Sequence, residues 1–305
     1  MSDNVLDRLP QGAKVAVLRL RSLGDCVLTT PAIALLKQAR PDVRIAVVVE
    51  DAFRAVFSDN PDIDKIVRPS AFAIVGWRPE MIVNLHGGPT SDRLTLLSGA
   101  RVRVGFAHYR MKAVYNVRVP TAQEVLGVER KVHTAEHLAS MMFYLGVPIS
   151  EVPRARLFAK PWKSARPYAV VHPLASAPGK TWRARNFLEV ADQLRSRFDL
   201  DPIFIAGPQE DLEPFADYSC LAGASLEKLK SVLAGASLFV GNDSGPAHMA
   251  AAFGVPSVVL FGASDHEVWR PWRTDAVTLV GERISKISAS SALDAVAELL
   301  VGQPR

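Results

Sequence analysis

From residue 14 to residue 261 the chain alternates short aliphatic runs with longer stretches of helical periodicity, and this rhythm leaves few folds open. Residues 14–20 (KVAVLRL), 44–49 (RIAVVV) and 81–85 (MIVNL) are rich in β-branched side chains, the pattern of strands covered on both faces. Residues 27–38 and 52–57 between them carry helical spacing. A second series predicts strands at 168–172 (YAVVH), 202–206 (PIFIA), 237–240 (SLFV) and 257–261 (SVVLF), with helices at 186–197, 226–233 and 246–253. Such alternation predicts parallel sheets with helices on both faces. After a predicted helix at 134–145, residues 146–167 contain Pro148, Pro153, Pro161 and Pro167 and no clear periodicity, which reads as a linker. The expectation is an α/β chain of two doubly wound parallel-sheet domains, 1–160 and 161–305, facing a central cleft. A length of 305 residues suits two domains.

Composition narrows the class. Hydrophobic residues make up 49% and charged residues 22%, which excludes a disordered or collagen-like chain. No apolar run approaches the roughly 18 residues of a membrane span. The opening MSDNVLDRLP lacks the apolar core of a secretory signal, and Cys26 and Cys220 cannot build a disulfide framework. A cytoplasmic protein is expected. The net charge of +5 is unevenly distributed: residues 93–123 hold Arg93, Arg101, Arg103, Arg110, Lys112 and Arg118 and no acidic residue. That block reads either as a solvated face or as a surface for phosphorylated substrate or lipid headgroups. No zinc-finger or RNP motif points to nucleic acid.

Ligands of open parallel sheets bind beyond the carboxyl ends of the strands, and polar motifs follow the predicted strands here. After the first comes RLRSLGDCV, where Asp25 reads either as a helix cap or as a carboxylate available as general base. After 237–240 comes GNDSGPAH, with Ser244 as N-cap, Gly245 and Pro246 opening a helix, and a terminus suited to a diphosphate. Asn242, Asp243 and His248 add more polar groups than capping needs. After 168–172 comes PLASAPGKT, which is no P-loop because Leu174 stands where glycine is required, yet Lys180 and Ser176 suit a phosphate. Glu210, in GPQED, reads either as a carboxylate near a helix start or as a ribose ligand. His133, Glu136 and His137 match the HxxEH zinc pattern without an evident third ligand, and no metal is expected there.

These blocks in combination resemble glycosyltransferase family 9, the ADP-heptose:lipopolysaccharide heptosyltransferases and their relatives. The resemblance is carried by residues 19–45 (RLRSLGDCVLTTPAIALLKQARPDVRI), 84–87 (NLHG), 97–106 (LSGARVRVGF), 172–187 (HPLASAPGKTWRARNF) and 240–265 (VGNDSGPAHMAAAFGVPSVVLFGASD). It implies a GT-B fold of two Rossmann-like domains, the first binding acceptor and the second nucleotide-sugar. It implies that Asp25 is the general base of an inverting displacement and that Lys180, with Ser176, neutralises the leaving diphosphate. Backbone N–H groups of Ser244, Gly245 and Ala247 would assist, with Asp243 and His248 near the sugar, Glu210 near the ribose and the backbone at Ala224 near the base. Acceptor contacts are expected from Asn84, His86, Gly87 and Arg93. The implied donor is ADP-heptose, a co-substrate, with no resident cofactor or metal. The implied acceptor is an anionic lipid-linked glycan such as the lipopolysaccharide inner core, reached by peripheral contact with the cytoplasmic face of the inner membrane. Residues 274–288 contain no cysteine where many relatives carry a cluster. A nucleotide-sugar epimerase of related fold, a transferase using another nucleotide-sugar and a noncatalytic nucleotide-binding protein remain as alternatives.

Overall fold

The computed structural model describes residues 4–301, in two units that divide between Arg156 and Leu157. The first holds β1 (Lys14–Leu18), α1 (Leu23–Ala39), β2 (Arg44–Val48), α2 (Arg54–Phe57), β3 (Lys65–Val67), α3 (Ala71–Trp77), β4 (Met81–Asn84), α4 (Pro89–Leu97), β5 (Val102–Phe106), β6 (Val117–Val119), α5 (Ala122–Leu126) and α6 (Thr134–Leu145). Its strands are all parallel, in the order β3-β2-β1-β4-β5-β6. The second holds β7 (Tyr168–His172), α7 (Ala184–Arg197), β8 (Asp201–Ala206), β9 (Ser219–Ala222), α8 (Leu226–Ala234), β10 (Leu238–Asn242), α9 (Gly245–Phe253), β11 (Ser257–Phe261), α10 (His266–Trp269), β12 (Ala276–Val280) and α11 (Ala289–Val301). Its order is β12-β11-β10-β7-β8-β9, again all parallel.

Counted from the first strand of each unit, both sheets run 3-2-1-4-5-6, so the architecture is repeated although the sequence shows no repeat. Strand order reverses between β1 and β4, and between β7 and β10. At such a reversal the flanking connections leave in opposite directions and open a crevice at the carboxyl ends. The central strands are buried because helices cover both faces: Val15 to Leu18 in β1 and Leu238 to Val240 in β10 are solvent-free. In the second unit Trp182, Phe187 and Phe204 fill the space between sheet and helices, and the Trp182 indole N–H donates to the Ile287 carbonyl at 2.9 Å.

Two details differ from the sequence expectation. The division between units lies a few residues before 160/161, because the end of the linker is pinned to α8. Ser231 Oγ donates to the Lys160 carbonyl and the Trp162 N–H donates to the Ser231 carbonyl, both at 2.8 Å. Lys228 Nζ also lies 4.9 Å from the centre of the Trp162 ring. The basic block, moreover, is not one face. Arg93 lies on α4, Arg103 within β5, Arg110 and Lys112 in the loop beyond β5, and Arg118 in β6 opposite Gly105. Arg103 serves the fold itself, its Nε donating to the Val114 carbonyl at 2.8 Å and so tying down the β5–β6 connection.

Candidate active site

At the first unit's reversal, Ser22 precedes α1 and Asp25 occupies the third helical position. Asp25 Oδ2 accepts from Ser22 Oγ at 2.9 Å and from the Ser22 N–H at 3.5 Å, forming a capping box. Its other oxygen lies 3.2 Å from Nη1 of Arg19, which is 6% exposed. Asp25 thus completes the helix cap, and its carboxylate stands beyond the carboxyl end of β1. Arg19 and Ser22 fix its orientation from two sides. Arg19 Nε has no partner among the described residues.

Asn84 ends β4 and is fully buried. Its Oδ1 accepts from the N–H groups of His86 (3.0 Å) and Gly87 (3.1 Å), and its Nδ2 donates to the Tyr115 hydroxyl at 2.7 Å. That hydroxyl in turn donates to Asp92. Asn84 thus builds the turn, its Oδ1 and its Nδ2 both hydrogen-bonded within the protein. Gly87 has φ +70°, and a Cβ there would lie 2.8 Å from the Tyr109 ring. His86 is half-buried with an unpartnered Nδ1 among the described residues. Burial first, and the Arg19 charge next, push its pKa below the usual histidine value, favouring the neutral imidazole. Arg93 is exposed on α4.

At the second unit's reversal, β10 also ends in a fully buried asparagine. Asn242 Oδ1 accepts the Trp182 N–H at 3.1 Å and its Nδ2 donates to the Pro173 carbonyl at 2.9 Å. The fourth strand of each unit therefore ends in the same device, an amide that organises the adjoining loops. Beyond Asn242, Asp243 (8% exposed) meets Lys180 Nζ at 3.1 Å. Ser244 caps α9 without using its side chain; its Oγ instead lies 2.9 Å from His172 Nδ1. The other ring nitrogen of His172 is 3.9 Å from Glu210 Oε2, so this buried histidine links the α9 terminus to the turn after β8. Sequence reasoning misses His172; the available signal is a polar residue ending an otherwise apolar strand.

The N–H groups of Ser244 and Gly245 have no partner among the described residues. The Ala247 N–H is different: it donates to the Ser244 carbonyl at 3.1 Å, so the expected third donor is already engaged. Glu210 is not at a helix start but in a tight turn, where its Oε2 accepts the Gly207 N–H at 2.6 Å. The neighbouring His172 ring, together with that N–H, holds its carboxyl below the usual range. Ser176 is exposed before the short 3₁₀ turn Pro178–Lys180, and Ala224 follows Gly223, whose φ is +63°. His248 is buried within α9, its ring 6.2 Å from Trp269.

The residues of the HxxEH segment are engaged elsewhere. His133 stands outside the helix as N-cap, its Nδ1 accepting the Ala135 N–H at 3.0 Å, and Glu136 forms a two-pronged pair with Arg130. His137 stacks on Phe106 with ring centres 4.3 Å apart, and His108 stacks on the same ring at 5.3 Å. The two histidines do not share one helical face, because only His137 is inside α6.

Two Rossmann-like units with polar clusters at both strand-order reversals place the chain in the GT-B class of α/β proteins. Solved structures share this architecture. A glycosyl transferase family 9 protein from Veillonella parvula aligns with a TM-score of 0.84 at 21% identity, covering 96% of this chain and 98% of its own. The ADP-heptose lipopolysaccharide heptosyltransferase II of Escherichia coli aligns with a TM-score of 0.81 at 19% identity, covering 94% and 98%. In sequence, lipopolysaccharide heptosyltransferase 3 of Escherichia coli is 28% identical over 310 aligned positions, spanning 85% of this chain and 86% of that protein. Residues 78–295 match glycosyltransferase family 9 (heptosyltransferase), and the chain belongs to that family. It is a glycosyltransferase.

Proposed function

We propose that this protein transfers a heptose from ADP-heptose to an inner-core sugar of lipopolysaccharide, or to a related anionic lipid-linked glycan, with inversion at the anomeric carbon. The observation that carries the reading is the second unit's cluster: the Lys180 ammonium, held by Asp243, beside the free N–H groups of Ser244 and Gly245 at the start of α9. Preorganised donors and a point charge at a helix N-terminus suit a leaving diphosphate. In this reading Glu210 meets the ribose, the backbone near Ala224 the base, Ser176 the phosphate, and Asp243 and His248 the sugar side.

The first unit supplies the base. Asp25, oriented by Arg19 and Ser22, accepts the proton of the acceptor hydroxyl as its oxygen bonds to the anomeric carbon. The bond from that carbon to the diphosphate oxygen breaks, and ADP leaves with its electron pair. His86, Gly87 and Arg93 are placed by this reading on the acceptor side, and Asn84 acts through the turn it builds. The protein would work in the cytoplasm, in peripheral contact with the inner membrane. Two measurements test the reading. Lipid-linked glycan from a strain lacking this protein should lose one heptose by mass spectrometry; unchanged glycan contradicts it. Purified protein given donor alone should return the donor unaltered, whereas an epimerised sugar would make it an epimerase.

A further inference from the structure

Helices α3 and α4 pack against each other and present an unusual outer surface. Helix α3 buries Ile74 and Trp77 and turns Phe72 and Val75 outward; α4 buries Leu94 and Thr95 and turns Arg93, Leu96 and Leu97 outward. These apolar side chains are not marginally exposed: Phe72 is 90%, Leu97 57%, Leu96 54% and Val75 48% accessible. Phe72 and Val75, three apart, share one face of α3, and Leu96 and Leu97 follow one another in the last turn of α4. Isolated exposed apolar residues are ordinary, but four on two helices that pack together exceed what folding alone requires.

The charge around the patch is predominantly positive. Val75 lines a hollow together with Arg78, Glu80 and Arg101. Glu80 contributes the one acidic group of that hollow, its Oε2 accepting the Lys14 backbone N–H at 2.6 Å. Asp92, the acidic residue of α4, is buried against Tyr115. Arg78, Arg93 and Arg101 are exposed and make no ion pair among the described residues. The buried Trp77 ring has Lys14, Arg44 and Lys65 at 5.0, 5.2 and 5.6 Å from its centre. Of these cations, Arg44 has an acidic neighbour, Asp64, at 3.9 Å. An aromatic and aliphatic patch ringed by unpaired arginines matches the chemistry of an anionic lipid surface, where apolar groups enter the headgroup layer and cations meet phosphate.

We propose that the outer surface of α3 and α4 docks the protein on an anionic bilayer, with Phe72 and Leu97 inserting and Arg78 and Arg101 at the lipid phosphates. The proposal rests on the reading that the acceptor is lipid-linked, and it assigns the membrane contact to a different surface from the loop and edge-strand cations. The full-length chain is sedimented with vesicles of phosphatidylethanolamine and phosphatidylglycerol, and separately with phosphatidylcholine vesicles. It should partition onto the anionic vesicles only, less as salt rises. The Phe72→Asp/Leu97→Asp variant should bind at least about tenfold more weakly, and Arg78→Gln/Arg101→Gln about fivefold more weakly per arginine removed. Because Phe72 and Leu97 face solvent, the first variant should retain wild-type turnover on a soluble, deacylated acceptor. No vesicle binding by the wild type, or equal binding by the Asp variant, overturns the proposal. So does a wild type that self-associates in sedimentation velocity and is dispersed by Phe72→Asp/Leu97→Asp, since the patch would then be a protein interface. Absence of turnover on the soluble acceptor contradicts the heptosyl-transfer reading alone, so the two failures are distinguishable.

Discussion

His137→Phe isolates one acid-sensitive element of the first unit. Burial, then the nearby His108 and Arg19 charges, push the His137 ring down to about 4, whereas the unfolded chain titrates near the ordinary 6.5. Between these values the unfolded state binds a proton that the folded state refuses, so stability rises with pH. The contribution is complete above pH 6.5 and is lost as pH falls toward 4. The gap corresponds to about 3 kcal/mol, reduced to about 2 kcal/mol because the ring is partly open to solvent. Phenylalanine keeps the stack on Phe106 and removes the titrating nitrogen. Urea unfolding at pH 7.5 should therefore barely separate variant from wild type. At pH 4.5 the variant should be the more stable by about 2 kcal/mol. Proton NMR of the histidine rings, assigned by the signal missing in His137→Phe, reads the same quantity directly. A His137 resonance that titrates near 6.5, or a stability difference that does not change with pH, refutes the reasoning.

Further outcomes follow from the two clusters. Lys180→Met should lower kcat roughly a hundredfold or more, through lost stabilisation of the leaving diphosphate, while EDTA should leave wild-type turnover unchanged; both are read from ADP release. Arg19→Met releases one of the two restraints on Asp25 and should lower kcat roughly tenfold to a hundredfold, with donor affinity by calorimetry unaltered. Gly87→Ala forces a side chain into a left-handed turn against the Tyr109 ring. It should cost roughly 1–3 kcal/mol of stability, seen as a lower melting temperature.

The parts of the fold legible in the sequence are those with two covered faces. β4, β7 and β10 are buried along their length and β1 along all but Lys14, so apolar residues dominate them. β3, β6 and β9 are edge or near-edge segments of three or four residues, partly exposed, and carry no such run. β5 is hidden differently: Arg103 places a charge inside the strand, and its neighbours read as a basic surface. The positions of Asp25, Lys180 and Asp243 follow from the rule that ligands gather beyond strand ends. What the chain alone does not disclose is partnership. Nothing local tells that His172 bridges Ser244 and Glu210, that Arg19 grips Asp25, or that Asn84 is consumed by its own turn. The His172 contacts join the ends of separate strands and exist only once those strands are brought together. The Arg19 bond and those of Asn84 to His86 and Gly87 are short-range in sequence but depend on how the turn after each strand folds.

The central claim is that Asp25 takes the acceptor proton during transfer from a nucleoside diphosphate heptose. The most direct measurement compares wild type and Asp25→Asn with ADP-heptose and a deacylated inner-core acceptor. Product is followed by mass spectrometry and donor binding by calorimetry. Asparagine preserves the shape and the contact with Ser22 while removing the basic oxygen. The account predicts a fall in turnover of at least roughly a hundredfold with donor affinity nearly unchanged. Turnover at the wild-type rate by Asp25→Asn would contradict it.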